Sequence, residues 1–128
     1  MTEKTAALGF TMYWGFTPAI NFFANSPIDL KSDQEVNILL TQNGGDGRHL
    51  FKSLCDILPL EQRSKPINIY VHEKFKENIA RIILFLTLFC ETGMAARERM
   101  EIYLDLFGNC LLRDKTASWL KSIVPELI

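Results

Sequence analysis

Val36-Asn37-Ile38-Leu39-Leu40-Thr41, continued by Gln42-Asn43-Gly44-Gly45-Asp46-Gly47 and Arg48-His49-Leu50-Phe51, is the stretch that decides the fold. Its first six residues are rich in β-branched and aliphatic side chains and have strand length. The glycines supply a turn on the carboxyl side. From Arg48 onward Leu50, Phe51, Leu54, Ile57 and Leu58 recur at helical spacing. Pro59 stops that helix at or before Leu58, because proline disfavours helical backbone in its predecessor. Asp46 stands at the N-cap, where its carboxylate would accept the free N–H groups of the first turn. Pro66 then precedes a second strand-like run, Ile67-Asn68-Ile69-Tyr70-Val71, ending at His72-Glu73. A second helix follows from about Lys76 to Glu91. Two short apolar strands separated by a helix predict a right-handed parallel βαβ unit.

Toward the carboxyl side, a third helix is expected from about Met94 to Leu112. Met100, Tyr103, Leu104, Phe107, Leu111 and Leu112 fall on its apolar face. Arg97 and Glu101 would pair at i,i+4, worth about 0.2–0.5 kcal/mol. Gly108 inside this helix costs about 1 kcal/mol relative to alanine. It suggests a tight helix crossing, with Cys110 in the same helix. A last helix, Thr116 to Ile123, presents Trp119, Leu120 and Ile123, and Pro125 is expected to end it. Toward the amino side, residues 1–33 have weak periodicity but carry Phe10, Tyr13, Trp14, Phe16, Phe22 and Phe23. Gly15, Pro18 and Pro27 break regular structure there, and Ala19 to Phe23 has room for one helical turn. This segment either packs across a core edge or forms an aromatic docking arm. The fold class is therefore α/β, a partial Rossmann-like (methyltransferase-like) βαβ core with additional carboxyl-terminal helices.

A chain of 128 residues suits one domain. Hydrophobic residues at 48% and charged residues at 23% exclude a disordered chain. The 14 basic and 15 acidic residues leave no surplus to bind nucleic acid or an anionic membrane surface. Cys55, Cys90 and Cys110 form no C-x-x-C pair, which argues against a disulfide framework and a thiolate zinc site. Reduced thiols are expected, with Cys55 and Cys90 packed as small hydrophobes on apolar helix faces. Met1-Thr2-Glu3-Lys4 predicts no secretory signal. Ile79 to Cys90 contains Arg81 and is well short of the roughly 20 apolar residues that span a bilayer.

Glycines after a strand let backbone approach a ligand, and the next helix offers its positive N-terminus. A Walker-type phosphate loop is excluded, because no Gly-Lys-Ser/Thr follows. A dinucleotide fingerprint fits at Gly45 and Gly47, but Leu50 takes the third glycine's place. Gly45-Asp46-Gly47-Arg48 resembles the tail of an S-adenosylmethionine-binding turn, and Glu73 stands where methyltransferase-type proteins place a ribose-binding acid. Thr41 and Asn43 depart from that pattern, which usually has an acid and a glycine there. Gly44, Gly45, Asp46, Gly47 and Glu73 are thus the candidate cofactor-binding residues, with no bound cofactor expected. The other reading of the same glycines is a tight βα turn capped by Asp46. His49 lies three residues from Asp46, so the two could meet on the first helical turn. His49 and His72 lack a third metal ligand, and no serine sits on a nucleophile elbow. No catalytic residue and no metal ligand is assigned.

Three blocks carry a family resemblance. Trp14-Gly15-Phe16-Thr17-Pro18-Ala19, Gly45-Asp46-Gly47-Arg48-His49-Leu50 and Phe107-Gly108-Asn109-Cys110-Leu111-Leu112-Arg113 are similar to the amino-terminal region of the dynein axonemal assembly factor 3 family. Asn68-Ile69-Tyr70-Val71-His72-Glu73 fits the same region. The resemblance implies a cytoplasmic, non-catalytic factor that preassembles axonemal dynein arms for motile cilia. It implies axonemal dynein chains and chaperones or co-assembly factors as partners. It also implies that residues 1–128 form a single α/β domain, the amino-terminal part of a longer family domain. The turn Gly44 to Arg48 is carried over as a shared motif without an assigned use.

Overall fold

The computed structural model of this protein describes residues 13–24, 26, 35–41, 45–57 and 66–127. The elements run β1 (Val36–Thr41), α1 (Arg48–Ile57), β2 (Ile67–His72), α2 (Lys76–Cys90), α3 (Ala96–Gly108) and α4 (Asp114–Leu127). β1 and β2 pair in parallel, from Val36 opposite Ile67 to Thr41 opposite His72. The βαβ expectation therefore holds in element order and strand direction, and the described residues form a mixed α/β structure of a two-stranded parallel sheet and four helices. Gly44, Leu58 and Pro59 lie outside the described residues, as do Phe10 and Pro27.

The two faces of the sheet differ. Val36, Ile38 and Leu40 are buried or half-buried, as are Ile67, Ile69 and Val71, whereas Leu39, Thr41, Tyr70 and His72 are exposed. Side chains alternate across a strand, so the exposed residues share one face. Asn68 ties that face together, donating from Nδ2 to Asn37 Oδ1 at 3.0 Å and to Glu35 Oε1 at 2.6 Å. Parallel strands more often bury both faces. Here the outer face keeps polar rungs at both ends, Asn37 opposite Asn68 and Thr41 opposite His72, and an apolar rung, Leu39 opposite Tyr70, in the middle.

The chain divides within α2 into two compact units, Met1–Ile82 and Ile83–Ile128. Phe23, Val36, Leu50 and Ile82 are buried in the first. In the second, Phe85, Leu88 and Ile102 are buried. Tyr103 packs there between Phe85 and Phe107, with ring centroids 4.9 and 5.7 Å away.

The second unit corrects several expectations. Met100, Leu104 and Leu111, read as an inward face, are 64%, 61% and 87% exposed, while Ile102 and Asp105 turn inward. The cause is polar. Asp105 Oδ2 accepts from Arg113 Nε at 2.8 Å and Thr116 Oγ1 at 2.6 Å, and Oδ1 accepts from Asn109 Nδ2 at 2.9 Å. Those bonds, made by residues at the start of α4 and the loop before it, fix the rotation of α3. Apolar periodicity cannot register a buried carboxylate. α3 stops at Gly108, so Cys110 follows the helix, and a Cβ on Gly108 would meet nothing. The expected tight crossing is therefore absent among the described residues. Cys55 and Cys90 are exposed, as is Cys110, and do not pack as hydrophobes. Pro125 lies inside α4, which continues to Leu127. Proline's φ suits a helix, and the bond it deletes is to the carbonyl of Lys121, whose residue is exposed. The Arg97–Glu101 pair forms as read, at 3.1 Å, with Arg97 almost wholly exposed and little stability at stake.

The Asp105 carboxyl is held below its usual range, first by the hydrogen bond from Arg113, then by that from Thr116. On acidification the unfolded chain binds this proton first. The stabilisation is complete above the ordinary carboxylate range and is lost as pH falls through the lower, folded-state value. Urea unfolding followed across acidic pH should show the midpoint of the native chain dropping. Asp105→Asn should begin less stable and show a flatter pH profile.

Candidate functional site

The residues singled out around the glycine turn converge on the start of α1. Gly45, Asp46 and Gly47 are all buried. Gly45 and Gly47 take φ of 75° and 62°, a left-handed conformation that costs other residues about 1–2 kcal/mol. Space forbids side chains there too. A Cβ on Gly45 would come within 2.7 Å of Asn78 Oδ1, and one on Gly47 within 2.6 Å of the Phe51 ring.

Asp46 stands one residue before the N-cap rather than at it, and its carboxylate accepts a first-turn N–H as expected. The carbonyl of Gly47 accepts the first helical bond, from Phe51 N–H at 2.9 Å, which makes Gly47 the N-cap. Asp46 Oδ1 accepts the Arg48 N–H at 3.1 Å, closing a local side-chain turn. The same carboxylate, 1% exposed, is gripped by Arg48 Nη1 at 2.9 and 2.7 Å and by the Gly15 N–H at 2.7 Å. Arg48 spends its other edge on Thr17, with Nε donating to the carbonyl at 2.9 Å and Nη2 to Oγ1 at 2.8 Å. A Cβ on Gly15 would fall 2.2 Å from that guanidinium.

Segment 13–24 is thus strapped along α1. Further ties follow the helix: Ile20 N–H donates to His49 Nδ1 at 2.9 Å and Phe22 N–H to Ser53 Oγ at 3.0 Å. Asn21 Nδ2 donates to Asp56. Phe22 also lies beside the His49 ring, 6.4 Å between centroids. Phe23 is buried, so the segment does pack at a core edge, while Phe16 and Ile20 are 85% and 59% exposed. Of the expected helical turn, only a turn at 22–24 forms. His49 does not bond Asp46. It is an acceptor for backbone, which fixes its proton on Nε2.

Glu73 sits just past β2. Its Oε2 accepts from Asn78 Nδ2 at 3.4 Å, whereas Glu73 Oε1 and Asn78 Oδ1 are buried without a hydrogen-bond partner among the described residues. Since Asn78 Oδ1 faces Gly45, the structure brings Glu73 and the glycine turn to one neighbourhood through Asn78. Asp46 points instead into the strap. Gly15, Thr17, Ser53 and Asn78 were not assigned from sequence. Only Ser53 left a trace, a hydroxyl three residues from Leu50 on the apolar side of α1. Among the described residues no group of three or more His, Cys, Asp or Glu is placed to hold a metal ion, and no helix is long and apolar enough to cross a membrane.

Comparison with known proteins bears on this geometry. A family model described as a domain of unknown function, DUF4470, matches residues 13–112. The chain is 37% identical to dynein axonemal assembly factor 3 of Xenopus tropicalis over 85% of its own length and 26% of the relative's. It is 35% identical to the Mus musculus protein of that name, over 93% of this chain and 22% of the relative. For the Homo sapiens protein the figures are 32%, 94% and 25%. The resemblance read from the sequence blocks therefore holds, and the chain spans about a quarter of the length of these relatives. No solved structure matches the chain.

Two measurements check the site. Gly47→Ala should lower stability by at least about 1–2 kcal/mol in urea unfolding, because it adds left-handed strain to the clash with Phe51. The His49 ring is held below its ordinary pKa, first by burial and then by Arg48, against an opposing pull from Asp46. The folded state therefore binds its proton later than the unfolded state. Above the ordinary imidazole range His49 leaves stability flat, and below it stability falls. In hydrogen exchange the Ile20 amide should lose protection over that same acidic interval, and His49→Gln should remove the step.

Proposed function

We infer that this chain, which belongs to the DUF4470 domain family, serves in the assembly of axonemal dynein, the task that its relatives' names state for them. In this reading it is a cytoplasmic, non-catalytic module that works before dynein arms enter motile cilia. Its partners are axonemal dynein chains and the chaperones or co-assembly factors that fold them, with neither nucleic acid nor membrane involved. Its βαβ unit is read further as a partial Rossmann-like, methyltransferase-like core put to structural use.

The observation that carries the reading is the family likeness over most of the chain. The geometry agrees with it. A turn that binds a nucleoside must offer its backbone and carboxylate to the ligand, whereas Asp46 is buried and spent on Gly15 and Arg48.

A second reading, a module binding S-adenosylmethionine, draws support from one feature. Glu73 Oε1 and Asn78 Oδ1 are buried acceptors without a partner, near the carboxyl end of a parallel strand, where α/β proteins bind ligands. Calorimetry separates the two. Assembly without a cofactor predicts no heat at millimolar S-adenosylmethionine, while saturable heat that Glu73→Ala abolishes would favour the second reading. For the first, depletion of the protein in multiciliated cells should leave axonemes short of outer and inner dynein arms in electron micrographs. Normal arms and normal beating would remove it.

A further inference from the structure

Thr17 places a hydroxyl group against a cation on an exposed stretch of chain. Its Oγ1 accepts Arg48 Nη2 at 2.8 Å, and its carbonyl accepts Nε from the same guanidinium at 2.9 Å. Thr17, Pro18 and Ala19 are exposed and outside regular structure. A residue before proline is confined to extended backbone, and Pro18 offers no amide hydrogen. An exposed threonine outside regular structure and followed by proline is the substrate form taken by proline-directed protein kinases.

We propose that Thr17 is a phosphorylation site for a kinase of this class, and that the phosphate locks segment 13–24 onto α1 through Arg48. In the transfer, Oγ1 attacks the γ-phosphorus of ATP. The new O–P bond forms as the bond to the departing ADP breaks, and the hydroxyl proton passes to the kinase's base. Phosphothreonine brings a charge of about −1.5 to −2 and three acceptor oxygens.

The receiving geometry is built. The Nε–Nη2 edge of the guanidinium already faces Thr17, while Nη1 is committed to Asp46. A phosphate on Oγ1 meets Nη2 directly and competes with the Thr17 carbonyl for Nε, so charge-assisted bonds replace bonds to a neutral hydroxyl and a neutral carbonyl. Asp46 is the nearby like charge. It lies on the opposite edge of the guanidinium and is itself buried, so the cation stands between the two anions. That arrangement selects locking over release. Ser26-Pro27 is a second hydroxyl–proline pair in the chain and provides an internal comparison.

The test uses the full chain with ATP and a proline-directed kinase, with sites mapped by tandem mass spectrometry. Phosphate should appear on Thr17; its absence there, or its presence only on Ser26, overturns the proposal. Hydrogen exchange at the Gly15 and Ile20 amides, which make the strap's backbone bonds, should then slow at least threefold. Unchanged or faster exchange overturns the locking role. Arg48→Lys keeps the charge but loses the fork, so the slowing should vanish in that variant, and equal slowing would overturn the part given to Arg48. Should Arg48→Lys not fold, Thr17→Val under the same kinase treatment supplies the comparison. Slowing that persists in Thr17→Val overturns the proposal.

Discussion

The first unit is organised by the ion pair between Asp46 and Arg48. A carboxylate taken almost wholly out of water is tolerated only when its lone pairs are filled. Here they are filled by a guanidinium and two backbone N–H groups, one local and one from a segment 31 residues away. That requirement reaches outward. It fixes where the strap crosses the helix, because the Gly15 amide must arrive at Oδ2. It bars a side chain at Gly15, because the guanidinium occupies that space. The backbone on either side of the carboxylate, just before α1, then takes positive φ at two glycines, Gly45 and Gly47. Three glycines and one buried pair are thus a single constraint seen from different sides.

The parts of the fold that were legible in the sequence are those set by local chemistry. Both strands, α1 and α2 follow from apolar runs bounded by glycine and proline, and strand direction follows from having a helix between them. What was hidden depends on polar groups meeting across sequence. A carboxylate inside α3 outweighs the apolar stripe of Met100, Leu104 and Leu111, since an unfilled buried acceptor costs more than one exposed methionine or leucine gains by burial. The same blindness applied at the glycine turn. The local motif suggested a helix cap or a ligand, and Asp46 does accept the Arg48 N–H, but the distant group that completes its shell is the amide of Gly15, which carries no sequence signature. Pro125 misled for a simpler reason, in that it falls in the last turn of α4, two residues before its end, where little helix remains to disrupt.

The blocks that carry the family likeness coincide with these polar anchors. Trp14 to Ala19 and Gly45 to Leu50 are distant in sequence and meet at the Asp46–Arg48 pair. Phe107 to Arg113 supplies Asn109 and Arg113, which grip Asp105 in the second unit.

The strap is held mainly by its own main chain. Gly15, Ile20 and Phe22 contribute amide hydrogens and Thr17 a carbonyl, whereas the helix contributes side chains, from Arg48, His49 and Ser53. Mutational burden is consequently lopsided. Nearly any residue can present an amide, so exchanges at Phe16 or Ile20 leave the attachment intact, but a change on the helical partner removes a contact outright. Phe16 and Ile20, 85% and 59% exposed, are thus positions that the attachment leaves open to exchange.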